Sequence, residues 1–514
     1  MIPSHKKGPQ GTADRTQKKR RVLTHHTDTQ TPLNRIVLVA INARYSHCSL
    51  AARSLMANMR TIKPHLAEFE IKQSPEIIAN TLAAKTPTIL AMGVYIWNRV
   101  QIEQLVPLLR SRTPSTKIIL GGPEISYDTN SALALQADCV ICGEAEIALP
   151  KICADMLAGH NVTHIYHAPL PDLSQLQLPT IEYTDKDLEN RNLYIETSRG
   201  CPCYCRFCLS SLTCGVRYYP LPAVFHCLDH LSQRGATRFR FVDRSFNLTG
   251  DRAVEILKYF LQKKIPNLFL HLEMVPEFLS PALRDVMIRF PPGALHIETG
   301  IQSLSPTVLK RINRPAHPAA ALEGIHWLSQ TAQATVHADL IAGLPGETLE
   351  MFMKGFEALL QAKPAEIQLG ILKHLPGTDV DQETGMQFSP HPPYVVIQSD
   401  AMSAQELDQT CRFAAHWERV VNRNHFPETS TLLLQGPDIW QTFDRFSQAL
   451  AQKHGRHGIG LVEIAHALYQ FLQNQKSHDT ETIRAALEQD YLANGRRTNL
   501  PAFLRPSQSE QTET

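Results

Sequence analysis

Residues 196–208 read ETSRGCPCYCRFC and place Cys201, Cys205 and Cys208 on one short segment. The segment overlaps the end of the run at residues 194–197, whose residue types predict a β-strand. A glycine and a proline flank the first cysteine, so we expect a loop at the carboxyl end of that strand. In parallel α/β folds, the loops at this end collect the groups that carry chemistry.

The cysteine spacing indicates a metal centre, for which two interpretations remain open. Three thiolates on one loop can bind three irons of a cubane cluster and leave the fourth iron without a protein ligand. A zinc site usually takes four tetrahedral ligands in paired spacing; no second pair follows, although Cys203 or Cys214 could complete a tetrahedron. Because nothing indicates secretion, we expect the 11 cysteines to be free thiols or ligands rather than disulfides.

A series of strand-like runs follows the cysteine segment at intervals of roughly 25 to 45 residues, which leaves room for one crossover helix in each. These runs lie at residues 238–242, 268–272, 295–298, 336–341 and 367–372. Together with residues 194–197 they make six βα units. The pattern predicts a partial (β/α)6 barrel over residues 191–394.

The sequence before the cysteine segment predicts a second α/β domain, over residues 35–160. Short apolar runs separated by helical stretches are typical of a doubly wound parallel sheet covered on both faces. These runs lie at residues 36–40, 88–92, 117–120 and 139–141. Residues 161–190 contain prolines and polar spacers and predict a linker.

The two ends of the chain differ from this α/β middle. Residues 395–505 show amphipathic spacing without a strand pattern, which predicts a helical C-terminal domain. Residues 1–34 form a basic tail without apolar periodicity, and residues 506–514 are polar, so we expect both to be disordered.

Charge and hydropathy exclude some classes of partner. Lys and Arg total 51 and Asp and Glu total 49, so the net charge gives no support for a nucleic-acid partner. No run of about 18 apolar residues occurs, and the N-terminus lacks the apolar stretch of a secretion signal. We expect a cytoplasmic protein without a membrane partner.

The cysteine motif, its place after a strand and the strands that follow resemble the radical S-adenosylmethionine (SAM) superfamily over roughly residues 190–390. The resemblance implies that Cys201, Cys205 and Cys208 bind a 4Fe-4S cluster, that Cys203 does not, and that SAM chelates the open iron. The reduced cluster would split SAM into methionine and a 5'-deoxyadenosyl radical. An electron donor such as flavodoxin or ferredoxin is implied as a partner.

The same resemblance implies contacts to SAM from later strands of the barrel. Asp243 follows the second strand, where the family binds the amino end of SAM, although the family more often has Gly-Gly-Glu there. Glu298 and Gln302 lie where the ribose or the methionine part is often contacted. Gly343 belongs to the segment DLIAGLPGET, which resembles the fifth-strand segment whose backbone approaches the adenine.

Residues 35–160 resemble the cobalamin-binding domain that precedes many of these enzymes. The residues implied as contacts follow predicted strands, at the edge where open α/β sheets bind ligands: Tyr45, Ser46, Gly93, Gly121, Gly122, Gly143 and Glu144. The Asp-x-His-x-x-Gly motif that supplies a cobalt ligand in other cobalamin proteins is not found. His47 is open to a role as cobalt ligand or to a structural one.

The two resemblances together imply a radical SAM enzyme that uses cobalamin for methyl transfer or rearrangement on an unknown substrate, with methylcobalamin holding the methyl group. A methylthiotransferase is one alternative. That group normally adds a second cysteine set upstream and an RNA-binding β-domain at the C-terminus, and neither is visible here. The other alternative is a non-catalytic iron-sulfur redox sensor, which would not need SAM.

Overall fold

The computed structural model describes residues 35–213, 215–493 and 499–505. The predicted tails at residues 1–34 and 506–514 lie outside these ranges, as does Cys214. Within the part of the chain that the structure describes, no helix has the length and apolar content needed to cross a bilayer.

The first sheet has six parallel strands in the order β2-β1-β3-β4-β5-β6. The strands are β1 Ile36–Asn42, β2 His65–Glu70, β3 Ile89–Gly93, β4 Lys117–Gly121, β5 Cys139–Cys142 and β6 Ile165–His167. The helices between them are α1 Leu50–Asn58, α2 Pro75–Ala83, α3 Arg99–Arg112, α4 Pro123–Ser126, α5 Ala132–Leu135 and α6 Ala148–Leu157.

Both faces of this sheet are covered, as predicted for a doubly wound domain. Successive side chains of a strand point to opposite faces. Val37 and Val39 of β1 pack into one apolar cluster, and Ile36 and Leu38 pack into another. Every residue of β1 is therefore buried. Since β1 lies between β2 and β3, the crevice where the strand order reverses opens at the carboxyl ends of β1 and β3.

The predicted strands of this sheet do not include β2 and β6. Polar residues occupy alternate positions of β2, which has only two buried residues and so lacks a continuous apolar run. β6 is a three-residue edge strand without a buried residue. Because β6 belongs to the sheet, the sheet continues past the predicted boundary at residue 160, to His167.

The second sheet also has six parallel strands, in the order β14-β13-β12-β11-β10-β7. The strands are β7 Leu193–Ile195, β10 Arg238–Phe241, β11 Phe269–Glu273, β12 Leu295–Gln302, β13 Thr335–Ala342 and β14 Glu366–Ile371. The strands β8 Ser198–Arg199 and β9 Arg217–Tyr218 form a separate antiparallel pair. Over the described ranges the edge strands β7 and β14 do not pair, so the sheet is a partial barrel, as predicted.

Helices lie between the strands of the second sheet, and its long strands have two different faces. The helices are α8 Leu221–Gln233, α9 Gly250–Lys263, α10 Pro281–Met287, α11 Pro306–Arg311, α12 Pro318–Gln330 and α13 Leu349–Gln361. In β12, Leu295 and Ile297 are buried in the apolar core, whereas His296 and Glu298 alternate with them and are half-buried. The polar side chains therefore line the face opposite the apolar core.

The C-terminal region is helical, as predicted, after one short hairpin. β15 Gln387–Phe388 pairs with β16 Val396–Gln398, so a strand lies at the start of the region predicted to be helical. The helices are α14 Ala404–Trp417, α15 Pro427–Leu433, α16 Ile439–His454, α17 Leu461–Gln475 and α18 Thr480–Ala493. Phe413 stacks on Trp440 at 3.9 Å between ring centroids, which joins α14 to α16 in an aromatic core.

A buried ion cluster ties the first sheet to α7 Asp185–Asn190, which lies in the predicted linker. Arg53 is 1% exposed and binds Glu68 of β2 at 2.8 Å and Asp187 of α7 at 2.9 Å. Arg191 binds the same two carboxylates at 2.7 and 3.0 Å. Burial alone would raise the pKa of each carboxyl, but the two arginines lower the pKa of Glu68 and that of Asp187 to about 2.

Replacing Asp187 with asparagine is expected to lower the free energy of unfolding by about 2–3 kcal/mol, because Arg53 stays buried with one partner fewer. The pKa of Asp187 is lower in the folded chain than its ordinary value near 4. Its stabilisation is therefore present above about pH 4 and is lost as the pH falls toward 2. Thermal unfolding across this range should show a shallower loss of stability in Asp187→Asn than in the wild type.

The matched control is Asp185→Asn on the same helix, where the side chain is 86% exposed. This control should retain both the wild-type stability and the wild-type acid profile. Equal losses of stability in the two variants would contradict the role assigned to the ion cluster around Arg53.

Candidate active site

The antiparallel pair β8–β9 brackets the cysteine loop at both of its ends. Gly200 begins the loop with φ +94°, in the left-handed region that favours glycine. A Cβ atom at this position would collide with the carbonyl oxygen of Gly215, near the other end of the loop. The two ends can therefore approach each other only because residue 200 has no side chain.

The cysteine loop lies over the carboxyl ends of neighbouring strands of the second sheet. The Sγ atom of Cys201 is 3.9 Å from Oγ of Ser245, which follows β10. Arg314, after α11, donates to Sγ of Cys205 at 3.7 Å and to the carbonyl oxygen of Gly300 in β12. Burial raises the pKa of the Cys205 thiol, and the charge of Arg314 offsets part of this rise.

The four loop cysteines differ in their surroundings. Cys205 is 4% exposed, whereas Cys201, Cys203 and Cys208 are half-buried. The interaction between the neighbouring thiols of Cys201 and Cys203 lowers the pKa of Cys201 and raises that of Cys203. Cys208 is joined to Cys205 by a backbone hydrogen bond of 3.0 Å.

These thiols could hold a cubane cluster. Among the described residues, no three His, Cys, Asp or Glu side chains converge on a point that one metal ion could occupy. A cubane asks for a different arrangement, because each thiolate binds a separate iron. Donors to the sulfur atoms, such as Arg314 at Cys205, also suit an anionic cluster.

Asp243, a predicted SAM contact, is engaged in the structure of the loop itself. Its carboxylate is 1% exposed and accepts hydrogen bonds from the backbone and side chain of Thr197, at 3.0 and 2.6 Å, and from Ser198. Burial raises the pKa of Asp243, and these hydrogen bonds offset part of the rise. The geometry therefore gives Asp243 a role in holding the strand that leads into the cysteine loop, and gives no support to the predicted contact.

Glu298, another predicted contact, lies on the polar face of the second sheet. Its carboxylate is 3.1 Å from Nε2 of His271, and this hydrogen bond lowers the pKa of Glu298. Glu273 pairs with Glu298 in the strand register, and burial raises the pKa of Glu273 to about 7. Sequence reasoning missed Glu273, although polar and apolar residues alternate over residues 269–273.

Gln302 and Asp339 carry buried polar atoms without a hydrogen-bond partner in this region. These atoms are Oε1 of Gln302 and Oδ1 of Asp339, which lie on adjacent strands. Burial, together with the nearby carboxylates of Glu298 and Glu273, raises the pKa of Asp339 to about 8. Orphaned oxygen atoms beside the cysteine loop fit a polar cofactor, because a buried acceptor is costly without a donor.

Gly343, the predicted adenine contact, follows β13 directly with φ +83°. A Cβ atom there would lie 2.6 Å from Cγ1 of Val396 and 3.1 Å from Cδ2 of Leu407. The backbone conformation and the packing of β16 and α14 on this residue therefore account for the glycine. The geometry neither supports nor contradicts the predicted contact between Gly343 and adenine.

The glycines predicted to contact cobalamin lie together at the carboxyl edge of the first sheet. They are Gly93, Gly121, Gly122 and Gly143, at the ends of β3, β4 and β5. Gly122 has φ +99°, and a Cβ atom there would lie 2.6 Å from the carbonyl oxygen of Val94. The backbone of this edge is therefore tightly packed and free of side chains at these four positions.

A stacked aromatic pair covers the crevice between β1 and β3. The rings of Tyr95 and Trp97 are parallel within 7°, with 4.4 Å between their centroids. The indole of Trp97 donates to the carbonyl oxygen of Ile41 in β1 at 3.1 Å, and the residue is 48% exposed. Sequence reasoning missed Trp97; the signal available was an aromatic residue shortly after a predicted strand.

Three predicted residues after β1 contact the second domain. Arg191 lies over the ring of Tyr45, with 5.3 Å to the centroid. The carbonyl oxygen of Ser46 accepts from the backbone of Asn192 at 2.8 Å. His47 packs edge-on against Tyr194 at 6.1 Å, and burial with nearby arginines lowers its pKa. These contacts favour a structural role for His47.

Loops after β4 and β5 reach the second domain as well. Glu124 accepts a hydrogen bond of 2.6 Å from the hydroxyl of Tyr394. Glu144, a predicted cobalamin contact, binds Arg199 at 2.6 Å and also binds Arg217. The carboxyl edge of the first sheet therefore faces the cysteine loop at the carboxyl edge of the second.

Family comparisons divide the chain in the same way. The family described as B12 binding domain matches residues 36–153, and the Radical SAM superfamily matches residues 195–359. A family described as protein of unknown function (DUF4080) matches residues 382–514, which contain the C-terminal helices.

Curated relatives match at low identity, and the chain spans about half of their length. The ribosomal protein uS12 methylthiotransferase RimO of Moorella thermoacetica is 25% identical over 42% of this chain and 50% of its own. An uncharacterized methyltransferase of Pyrococcus horikoshii is 24% identical over 45% and 55%. The tRNA-2-methylthio-N(6)-dimethylallyladenosine synthase of Fervidobacterium nodosum is 25% identical over 39% and 49%.

Two solved structures share the fold across most of the chain. The radical SAM methyltransferase TsrM from Kitasatospora setae, with cobalamin and a 4Fe-4S cluster bound, has a TM-score of 0.58 at 14% identity and covers 88% of this chain and 99% of its own. The cobalamin-dependent SAM radical enzyme OxsB has a TM-score of 0.61 at 13% identity, covering 90% and 80%. This chain therefore carries a B12 binding domain over residues 36–153 in front of a Radical SAM domain over residues 195–359.

Proposed function

We propose that this chain is a cobalamin-dependent radical SAM enzyme that transfers a methyl group, or carries out another radical rearrangement, on a substrate of undefined class. The proposal rests on the contact between the carboxyl ends of the strands of the two sheets. The second sheet carries the three cysteines there, and the first sheet carries the crevice and the four glycines. TsrM and OxsB, which share this fold, are described as enzymes that use both cofactors, and this supports the proposal.

Cys201, Cys205 and Cys208 would hold the cluster, and Cys203 would remain a thiol. Once bound, the cluster would supply the electron that cleaves SAM, after reduction by a donor such as flavodoxin or ferredoxin. Arg314 donates toward Cys205 and would partly balance the negative charge of the cluster. The burial of Cys205 keeps water from that sulfur.

Gln302, Asp339 and Glu273 would orient SAM below the cysteine loop. The unpartnered oxygen atoms of Gln302 and Asp339 can accept from hydroxyl or ammonium groups. An ammonium group brought beside Asp339 or Glu273 would lower the raised pKa of each and so favour the ionised carboxylate. Glu298, held by His271, is already biased toward its ionised form.

The edge of the first sheet would bind cobalamin. Four glycines add no side chains to the ends of β3, β4 and β5, although the space beside Gly93 is filled by the ring of Tyr95 and that beside Gly122 by the carbonyl oxygen of Val94. Tyr95 and Trp97 add a stacked aromatic surface beside the crevice where ligands bind in such sheets. Glu144 is less suited to this role than predicted, because two arginines already bind its carboxylate.

A methylthiotransferase is the second candidate, favoured by the names of two relatives reported above. Such an enzyme would need a further cysteine cluster. Cys139, Cys142 and Cys153 are buried in the first domain, and burial raises the pKa of Cys139 to about 11 and that of Cys153 to about 12. Cys139 and Cys153 pack into the apolar cluster on one face of the first sheet, whereas Cys142 packs into the cluster on the other face. Because side chains on opposite faces of a sheet cannot converge on one iron-sulfur cluster, this observation favours the first proposal.

Single alanine substitutions of Cys201, Cys205 and Cys208 test the cluster. Each variant is expected to lose the iron-sulfur absorption after anaerobic reconstitution and to lose at least about 100-fold in dithionite-dependent formation of 5'-deoxyadenosine, because a missing thiolate leaves the cluster poorly held. The measurements are iron content per chain and product quantified by mass spectrometry. Cys203→Ala is the matched control on the same loop and should keep both properties.

A wild-type chain that binds the cluster but forms no 5'-deoxyadenosine would favour a redox sensor. Full activity in the three alanine variants would contradict the assignment of the ligands. Retention of a cluster by the Cys203→Ala chain, with product formation, would exclude a site that needs Cys203.

Replacing Trp97 with alanine tests the cobalamin surface. The variant is expected to bind cobalamin about tenfold more weakly, because a large aromatic contact is lost, while its iron content stays unchanged. Cobalamin binding is measured by titration and visible absorption under anaerobic conditions. The matched control is Trp327→Ala on the outer helix α12, which should bind cobalamin like the wild type. Equal affinity of Trp97→Ala and wild type would contradict this placement.

A further inference from the structure

Two arginines stand opposite each other at the two ends of the cysteine loop. Arg199 of β8 and Arg217 of β9 are partners in the antiparallel register. Arg199 comes two residues before Cys201, and Gly200 between them is held against the backbone of Gly215. The side chains of this pair are therefore rigidly connected to the ends of the segment that carries the thiols.

Both arginines reach across to the loop that follows β5 of the first sheet. Arg199 binds Glu144 and Glu146, each at 2.6 Å, through different nitrogen atoms of its guanidinium. Arg217 binds the other oxygen of the Glu144 carboxylate and donates to the carbonyl oxygen of Pro171 at 2.9 Å. One glutamate is thus held between two arginines that bracket the cysteine loop.

Further contacts fix the orientation of Arg199. Glu196, at the end of β7, accepts from it at 2.9 Å, and Tyr219 donates to the same glutamate at 3.2 Å. The side chain of Arg199 is 12% exposed and those of its three carboxylate partners are 8% to 19% exposed. Isolated surface ion pairs position little, whereas a partly buried network with a branched guanidinium has a defined geometry.

The arginine clamp, defined as Arg199 and Arg217 with Glu144 and Glu146, joins the surroundings of the two cofactor sites. Glu144 and Glu146 follow Gly143, which comes directly after β5 at the carboxyl edge of the first sheet. If the loop after β5 moved, the ion pairs of Arg199 and Arg217 would transmit the movement to the cysteine segment.

We propose that Arg199 and Arg217 are positioning residues that lock the cysteine loop onto the loop after β5 and so hold the cluster and cobalamin at one fixed separation. This inference rests on the proposed function for its two cofactors. Glu144 then has a structural role, as the partner of both arginines, in place of the predicted contact with cobalamin. Neither arginine touches a reacting atom in this account.

The test compares Arg199→Gln and Arg217→Gln with Arg110→Gln as matched control. Arg110 pairs with Asp138 at the amino ends of the strands of the first sheet. The side chains of this pair are 30% and 21% exposed, close to the values of 25% and 19% for Arg217 and Glu144. Glutamine keeps a hydrogen-bonding side chain and removes the charge in each case. The control removes an equivalent ion pair that lies far from the cysteine loop.

The first readout is the magnetic interaction between the reduced cluster and cob(II)alamin in the loaded protein, measured by pulsed electron paramagnetic resonance. We expect both clamp variants to retain the two cofactors but to show a distribution of separations at least about twofold broader than the wild type, because the restraint is lost. Arg217→Lys keeps the charge but not the two nitrogen atoms that bind Glu144 and the carbonyl oxygen of Pro171, so it should recover only part of the narrow distribution. Unchanged distributions in both glutamine variants would overturn the proposal.

The second readout needs no cofactor. Amide hydrogen exchange in the apo protein should rise about fivefold or more in both residues 143–147 and residues 200–216 of the clamp variants, with no such change in Arg110→Gln. Faster exchange confined to the substituted strand would contradict a clamp between the two loops. A wild-type chain that fails to bind cobalamin would contradict the proposed function alone, because the exchange result still decides whether the loops are locked together.

Discussion

The direction of parallel strands is the constraint on which the rest of the structure depends. In each six-stranded sheet, the loops that follow the strands gather at one carboxyl edge. The two edges meet through residues after β4 and β5 of the first sheet, among them Glu124 and Glu144. The cysteine loop and the glycine-lined crevice therefore face each other without any long extension of either domain.

Most charged side chains at the contact between the two domains belong to ion pairs. The ion pairs of Arg199 and Arg217 join the loop edges, and the cluster around Arg53 joins the first sheet to α7. Removing one member of such a buried pair is costly, which favours a single arrangement of the domains. Gln302 and Asp339 keep buried oxygen atoms without a hydrogen-bond partner, as do buried polar atoms at several other places in the chain. These two oxygen atoms lie on the adjacent strands β12 and β13, where a polar ligand would supply their missing donors.

Much of the fold could be predicted from local patterns, since continuous apolar runs correspond to strands that are buried on both faces. β2 and β6 were not predicted, because a strand with interspersed polar residues or an exposed edge strand has no continuous apolar run. The cysteine trio could be found from its spacing, which is local. Two partners of Arg199, Glu144 and Glu146, by contrast lie more than 50 residues away in sequence, so only the folded chain brings them together. Asp243 shows that a residue predicted from its place after a strand also holds the chain that leads into the cysteine loop, through hydrogen bonds to Thr197 that no local pattern reveals.

We propose that this chain holds an open iron-sulfur cluster and a cobalamin at facing sheet edges. Native mass spectrometry of the anaerobically reconstituted chain counts the two cofactors on single molecules. We predict a main species whose mass exceeds that of the polypeptide by one 4Fe-4S cluster and one cobalamin. Molecules that carry either cofactor alone but never both, at saturating concentrations of each, would contradict it.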